Sequence, residues 1–361
     1  MTASKLIEKL PPFGDMDRSI EDVLCSYGGW ISQNSESEKY LTRENIKEID
    51  SLIRLILKAN KSFLTGQVAE SYKIIYDILF SNTYSYKIFH SLKLESNSIY
   101  YRMRACNDEY LFSKEELFHI PFDQRQKTSN QRYSLTGYPC LYLGKSIYVC
   151  WEELNRPRFD NANIVGVKNI RDLELLDLRM PTEIKDASDL YRIPIIIACS
   201  IKVQEPNLPF KPEYVISQAI LHAIINYNNK NPSSSNLNGI IYYSTSTNNV
   251  QRLFSDLELF ENIIIPTVNN TKNPDAEKIY QDGLCPVLCN SFEISTPLSF
   301  NTYRLSVGSK NNYLYAGQEE HINLYSMSQM AVMEDHIKKL KTHKLSSNKF
   351  FRFNPEKNEQ Y

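Results

Sequence analysis

The chain has 361 residues, enough for two domains or for one large domain with an added module. Its formal charge of −1 excludes the broad basic face that general nucleic-acid binding needs, so any anion site must be built locally from a few arginines. Hydrophobic residues make up 42% of the chain, which supplies a core, while the longest apolar run (residues 193–199) is far too short to cross a bilayer.

Residues 44–60 place Ile46, Ile49, Ile53 and Ile56 at helical spacing, and residues 67–80 do the same with Val68, Tyr72, Ile75 and Leu79. Gly66 falls in the short connection, so the pair reads as an antiparallel helical hairpin within a small N-terminal domain, residues 1–95. The ordinary use of such a hairpin is packing or homo-oligomerisation. From residue 98 the texture changes to short β-rich runs: IYYRMRA (99–105), PCLYLG (139–144), LELLDLR (173–179), RIPIIIACSIKV (192–203) and LNGIIYYS (237–244). Helical patterns lie between them at 146–154 and 216–227, which makes residues 96–300 an α+β domain with a mixed sheet. The stretch 226–239 is a polar surface loop. Residues 301–361 form a Tyr-, Asn- and Lys-rich extension with a helix around 327–343, whose lysines 338, 339, 341 and 344 suit a helix C-terminus.

Several chemistries find no support. The chain has neither a GxGxxG nor a GxxxxGK[ST] stretch. Seven scattered cysteines make a poor disulfide framework, and Cys285 and Cys289 lack a second pair at zinc spacing, so no metal is expected. The opening segment carries no apolar signal region, and the expectation is a reduced, cytoplasmic protein without membrane or nucleic-acid partners.

What stands out is the run QRYSLTGYPCLYLGKSIYVCWEEL, residues 131–154. Arg132 and Tyr142 flank a Gly-Pro-bearing turn, and Glu153 follows inside an apolar stretch. In a helix beginning near Ser146, the residues Ile147, Cys150, Trp151 and Leu154 make one stripe. Glu152 then points away from the stripe, towards solvent, while Glu153 lies at its edge, where a side chain can reach a cleft yet stay partly shielded. Upstream, Arg102 and Arg104 alternate on one strand face, with Tyr101 and Met103 on the other. Two such guanidinium groups can hold a pyrophosphate. An apolar strand later runs into Ser244, Thr245, Ser246 and Thr247, which either cap a turn or bind a ligand hydroxyl. Fixed cations, an aromatic ring and an isolated carboxylate suit an anionic, planar ligand cleaved through a cationic transition state, as NAD is.

These residues resemble the RES-domain family, named for its Arg, Glu and Ser and known as bacterial NAD-degrading toxins. The aromatic-Arg pair is Tyr101-Arg102, the Arg-aromatic turn is RYSLTG with Arg132, Tyr133 and Gly137, and the strand tyrosine is Tyr142. Eleven positions later comes Glu153, and the Gly-Ile-x-Tyr-x-Ser element ends in Ser244. LLDLR supplies Asp177, and YVISQ supplies Tyr214 and Gln218. The family's usual Gly-Gly before the turn arginine is Asn130-Gln131 here, and compact members lack the terminal regions.

The resemblance implies an ADP-ribosyltransferase-like fold that breaks the nicotinamide–ribose bond of NAD, as a glycohydrolase or, with phosphate as co-substrate, a phosphorylase. It implies catalytic roles for Glu153, Arg132 and Tyr142 and substrate-binding roles for Arg102, Arg104, Tyr133 and Ser244, all gathered around one cavity. No separate cofactor is implied, and the partner would be an antitoxin or immunity protein. Two other readings stay open. A mono-ADP-ribosyltransferase would use the Ser244-Thr245-Ser246 run, although DLELFE (256–261) holds Glu258 and Glu261 three apart and no Glu-x-Glu. A non-catalytic interaction protein would use the helical hairpin.

Overall fold

The computed structural model describes residues 6–14, 17–34, 40–81, 85–106, 110–231, 237–246, 257–268, 283–299, 325 and 328–346. Seven helices of seven residues or more lie among them. They are α1 Ile20–Gln33, α2 Arg43–Leu64, α3 Val68–Phe80, α4 Ile147–Glu153, α5 Ala187–Ser200, α6 Val215–Lys230 and α7 Gln329–Lys339. The strands are β1 Ser91–Leu94, β2 Ile99–Ala105, β3 Cys140–Gly144, β4 Ala162–Asn169 and β5 Leu173–Asp177. They continue as β6 Gly239–Tyr243, β7 Glu261–Pro266, β8 Phe292–Ser295, β9 Leu298–Ser299 and β10 Thr342–Lys344. Strands pair in both senses and helices precede the sheet, so the fold is α+β with a mixed sheet. No helix among the described residues is long and apolar enough to cross a membrane.

The chain divides into two compact units. The expected boundary at 95 falls near the first change of unit, between Leu92 and Lys93, but the single domain expected over 96–300 does not form. Residues 130–135 and 174–245 return to the N-terminal unit instead. The reason lies in α5. Its residues 190–200 are all buried, and a helix that is apolar all round must be covered on every side. The stripes of α1 (Val23, Leu24, Tyr27, Ile31) and α2 (Ile49, Leu52, Ile53, Ile56) supply cover in this unit together with α6, and the stripe of α3 (Ile74, Ile75, Ile78, Leu79) packs in turn on α2 and α6. The Tyr27 hydroxyl donates to the Leu190 carbonyl at 2.8 Å within that core. Gly66, at φ +84°, makes the turn of the α2–α3 hairpin in the left-handed region that suits glycine. The parallel pair β5–β6 belongs to the same unit, with Leu176 opposite Ile240.

The expectation of β structure over residues 192–203 is corrected here, because residues 187–200 are α5. A short apolar run fits a buried strand and a buried helix equally well. What decides for helix is the capping box at its start, where Asp186 accepts from the first-turn backbone and Asp189 reaches back to the Asp186 amide. The polar loop expected over 226–239 begins later, because α6 runs to Lys230, and residues 232–236 lie outside the described ones.

The second unit is an antiparallel sheet in the order β7-β3-β2-β4-β8-β10, with β9 on β4. Its centre is the seven-residue ladder from Ile99 opposite Lys168 to Ala105 opposite Ala162. Helix α4 packs on β2 and β3, and α7 packs on α4 and β4. The helix expected over 327–343 is present but shorter, as α7, because Thr342–Lys344 form β10, so Lys341 and Lys344 lie beyond the helix end; residues 301–324, 326–327 and 347–361 lie outside the described residues.

Two glycines permit this packing. A Cβ on Gly144 would meet Val149 Cγ1 at 2.5 Å and Cys150 Sγ at 2.7 Å, and one on Gly166 would meet Ile337 Cγ2 at 2.6 Å. Gly144→Ala is therefore expected to force α4 outward and lower unfolding free energy by about 1–3 kcal/mol. Urea denaturation followed by circular dichroism checks this.

Candidate functional site

Helix α4 is the element that presents the candidate acid. Ser146 caps it, its hydroxyl accepting from the Val149 amide at 3.0 Å and donating to the Leu259 carbonyl at 2.6 Å. The buried Glu334 carboxylate accepts from the Ile147 amide at 2.6 Å, so two of the first-turn donors, Ile147 and Val149, have side-chain partners. Burial raises Glu334 above the usual carboxylate range. At the other end, Asn155 and Arg156 take positive φ angles of 58° and 55°, which turns the chain sharply after Glu153.

That turn reverses the expected roles of the two glutamates. Arg156 folds back and grips Glu152 through two parallel contacts, Nη2 to Oε1 at 2.7 Å and Nε to Oε2 at 3.0 Å, while lying over the Trp151 ring. Glu152 is consequently the buried residue, 4% exposed, and not the solvated one expected. Glu153 is exposed, not half-shielded. It is nevertheless held, because Asn262 Nδ2 donates to its Oε1 at 2.6 Å and Ser246 Oγ donates to its Oε2 at 3.0 Å. The carboxylate is thus fixed in place yet open to a ligand.

In the same unit, β2 bears out the alternation read for its face: Tyr101 and Met103 are buried, while Arg102 and Arg104 are half-buried on the other side. Arg104 donates to the Glu116 carbonyl at 2.8 Å and packs over Phe112 at 4.4 Å. Arg102 donates to the Tyr142 carbonyl at 3.1 Å, which ties it to β3. Its Nε is buried with no partner, and no described carboxylate pairs with it. Burial, then the charge of Arg104, lowers its affinity for its proton to about 10, so it stays cationic at neutral pH. An uncompensated guanidinium of this kind favours an anion. His119, buried and close enough to Arg102 to feel its charge, serves as a clip: its Nε2 accepts from the Cys285 amide at 2.8 Å, and burial pulls it down to about 4, so it is neutral. Tyr142 is half-buried on β3, opposite Ile264 of β7.

The remaining candidates lie in the N-terminal unit. Arg132 is 7% exposed and donates to the carbonyls of Cys199 and Ile201 and to Thr245 Oγ1, each at 2.8 Å. Its guanidinium also lies 5.0 Å from the Tyr214 ring centroid. Three of its donors are thus spent on fixing the end of α5 and the Thr245 turn, which makes Arg132, expected as a catalytic residue, a structural tie in this unit. Tyr133 is 1% exposed and packs at 4.6 Å on Tyr242, a core position that leaves no face for substrate. Ser244 is wholly buried at the end of β6, so it does not present its hydroxyl to a ligand as expected; Ser246, two residues on, reaches the acid. Asn130 and Gln131, where the usual glycines are absent, are fixed by Gln218, which donates to Asn130 Oδ1 at 2.7 Å and to the Gln131 carbonyl at 3.1 Å. Asp177 is a buried structural acid, which burial would raise but Arg179 and Arg192 hold below the usual range.

Asn262 and Ser246 are the residues that sequence reasoning missed as partners of the acid. The available signal for Asn262 was an amide at the head of an otherwise apolar strand, ENIIIP, where a side chain 6% exposed must hydrogen-bond. No cluster of three or more His, Cys, Asp or Glu among the described residues could hold a metal. A cavity of about 920 Å³ in the N-terminal unit contains none of the candidate residues; of the cations that line it, Arg18, Arg54, Lys58 and Lys61, Arg54 and Lys58 are paired with Asp50 and Glu70.

Comparison with known proteins adds two findings. The RES domain family matches residues 100–265. A Bacillus subtilis (strain 168) protein named "Putative toxin YopC" is 31% identical over 316 residues, covering 80% of this chain and 67% of that protein. No solved structure matches the chain.

The reversed glutamates separate stability from chemistry. Glu152→Gln is expected to lower unfolding free energy by about 1–3 kcal/mol, because it breaks a charged pair on a buried group. Glu153→Gln, at an exposed position, should change it by less than about 1 kcal/mol. Arg132→Met strands buried carbonyls and should cost about 2–4 kcal/mol. Urea unfolding of the three variants gives the order directly.

Proposed function

Because the chain belongs to the RES-domain family, we propose that it is an enzyme of the toxin class that breaks the nicotinamide–ribose bond of NAD. The observation that carries this reading is the presence, within one unit, of both an exposed but tethered carboxylate, Glu153, and an uncompensated guanidinium, Arg102. Tyr142 stands between them in the chain and is joined to Arg102 through its carbonyl.

The chemistry asks little more of the protein. Nicotinamide leaves as a neutral ring from a positively charged one, so it needs no general acid. The ribose carbon left behind gains oxocarbenium character, and a fixed carboxylate stabilises that charge, as in glycoside hydrolysis. A preorganised charge of this type is worth on the order of 3–4 kcal/mol in the barrier. Arg102 binds the pyrophosphate or, in phosphorolysis, the incoming phosphate, and Tyr142 packs against nicotinamide or ribose. Water or phosphate then attacks the same face of the cation and yields ADP-ribose or its 1″-phosphate. Arg132 serves by positioning. The toxin role follows the name borne by the relative, and such an enzyme requires an antitoxin or immunity protein as its restraint. The transferase reading is weaker, since Glu261 is 3% exposed and faces the Tyr100 hydroxyl at 3.4 Å, which leaves it no substrate to touch.

Purified protein incubated with NAD, with and without phosphate, should release nicotinamide. Glu153→Gln should lower kcat by about 100-fold or more. Arg102→Ala should act mainly through KM for NAD or for phosphate. Absence of nicotinamide release, or full turnover by the Glu153 variant, overturns the assignment. Labelled NAD that marks a protein instead would favour the transferase.

A further inference from the structure

Asn262 begins the apolar part of β7, directly opposite Gly144 of β3 in the antiparallel register. Its side chain is 6% exposed and its amide nitrogen lies 2.6 Å from Glu153 Oε1. The two contacts to Glu153 differ in kind. Ser246 follows the last residue of its unit's neighbour in the chain and sits at an exposed position, and its hydroxyl can rotate to another acceptor. Asn262 is buried on a strand paired along its length with β3, the strand on whose end α4 is seated. A donor on such a rigid element is preorganised, and an amide aimed at a carboxylate favours one rotamer and one oxygen without adding charge.

We propose that Asn262 is the positioning residue for Glu153: from a buried strand its amide holds Oε1, while the exposed Ser246 hydroxyl holds Oε2, and the amide thereby sets the rotamer in which the carboxylate meets the ribose. The sequence gap of 109 residues between them means that only the β3–β7 register brings them together. In the kinetic part this rests on the NAD-cleavage reading; the geometry does not. Other charged groups on elements packed around α4 are already engaged: Glu261 with Tyr100, Glu334 with Ile147 and Tyr325, and Glu152 with Arg156. Arg102 and Arg104 on β2, Tyr142 on β3, Lys145 and Cys150 at α4, Glu258 before β7 and Asp335, His336, Lys338 and Lys339 on α7 stay the same in wild type and variant, so the comparison isolates the change at 262.

The test uses the full chain. Asn262→Ala should lower kcat about 10- to 100-fold, the worth of one hydrogen bond to a charged group, with KM for NAD nearly unchanged. Asn262→Asp sets a second carboxylate against the first and should be worse than Asn262→Ala at neutral pH. It should recover on acidification, because a proton shared by the two carboxyls restores a donor. A purely structural role would instead lower stability and leave the pH profile unmoved. A second readout is independent of NAD: the ¹³C carboxyl resonance of Glu153, identified by its loss in Glu153→Gln, should move in Asn262→Ala. If that resonance and kcat are both unchanged, Asn262 does not position the acid. If the wild type releases no nicotinamide but the resonance moves, the NAD reading fails and the positioning stands.

Discussion

The seating of α4 on the end of β3 is the constraint on which the candidate site depends. It requires the missing side chain of Gly144, since a single added carbon would fall within 2.5 Å of Val149. Once the helix is seated, Ser146 and Glu334 satisfy its first amides, and Asn155 and Arg156 stop it one residue after the acid. The last turn then carries two glutamates at adjacent positions, about 100° apart around the axis. One is buried and held by the exposed Arg156, and the other is left facing out. A helix one turn longer would have lost this division of labour.

The same economy governs the arginines. Guanidinium groups have five donors, and what they can do for a ligand depends on how many the fold has already used. Arg132 spends three on two carbonyls and a hydroxyl, and Arg104 is committed to the Glu116 carbonyl and the Phe112 ring. Arg102 makes one contact, to the Tyr142 carbonyl, and keeps a buried Nε unmatched. Structures rarely leave a buried donor without a partner, and an anion is the natural complement. The motif arginines thus differ in role although they look equivalent along the chain.

Much of the architecture was legible because periodicity survives burial when one face stays wet. The α2–α3 hairpin and β2 are of this kind, whereas β3, β5 and β6, buried almost throughout, were legible as short apolar runs bounded by turn residues. Legibility failed at α5, where Ile193 to Cys199 is apolar on every side and carries no period to read. It failed again for domain limits: local pattern cannot reveal that residues 174–245 must travel back to cover the N-terminal helices.

By itself the sequence determined which residue types were available and in what order: the Tyr101-Arg102 pair, the turn at 132–137, the tyrosine eleven positions before Glu153, and the helix that carries it. Tertiary structure alone decided which of Glu152 and Glu153 was buried, which arginine kept a free valence, and that Asn262 rather than Ser244 would touch a candidate acid. The physical reason is common to all three. Helical spacing fixes direction only to within a fraction of a turn, whereas burial, ion pairing and hydrogen bonding are settled by partners as far as 109 residues away, as Asn262 is from Glu153, set in place by strand register.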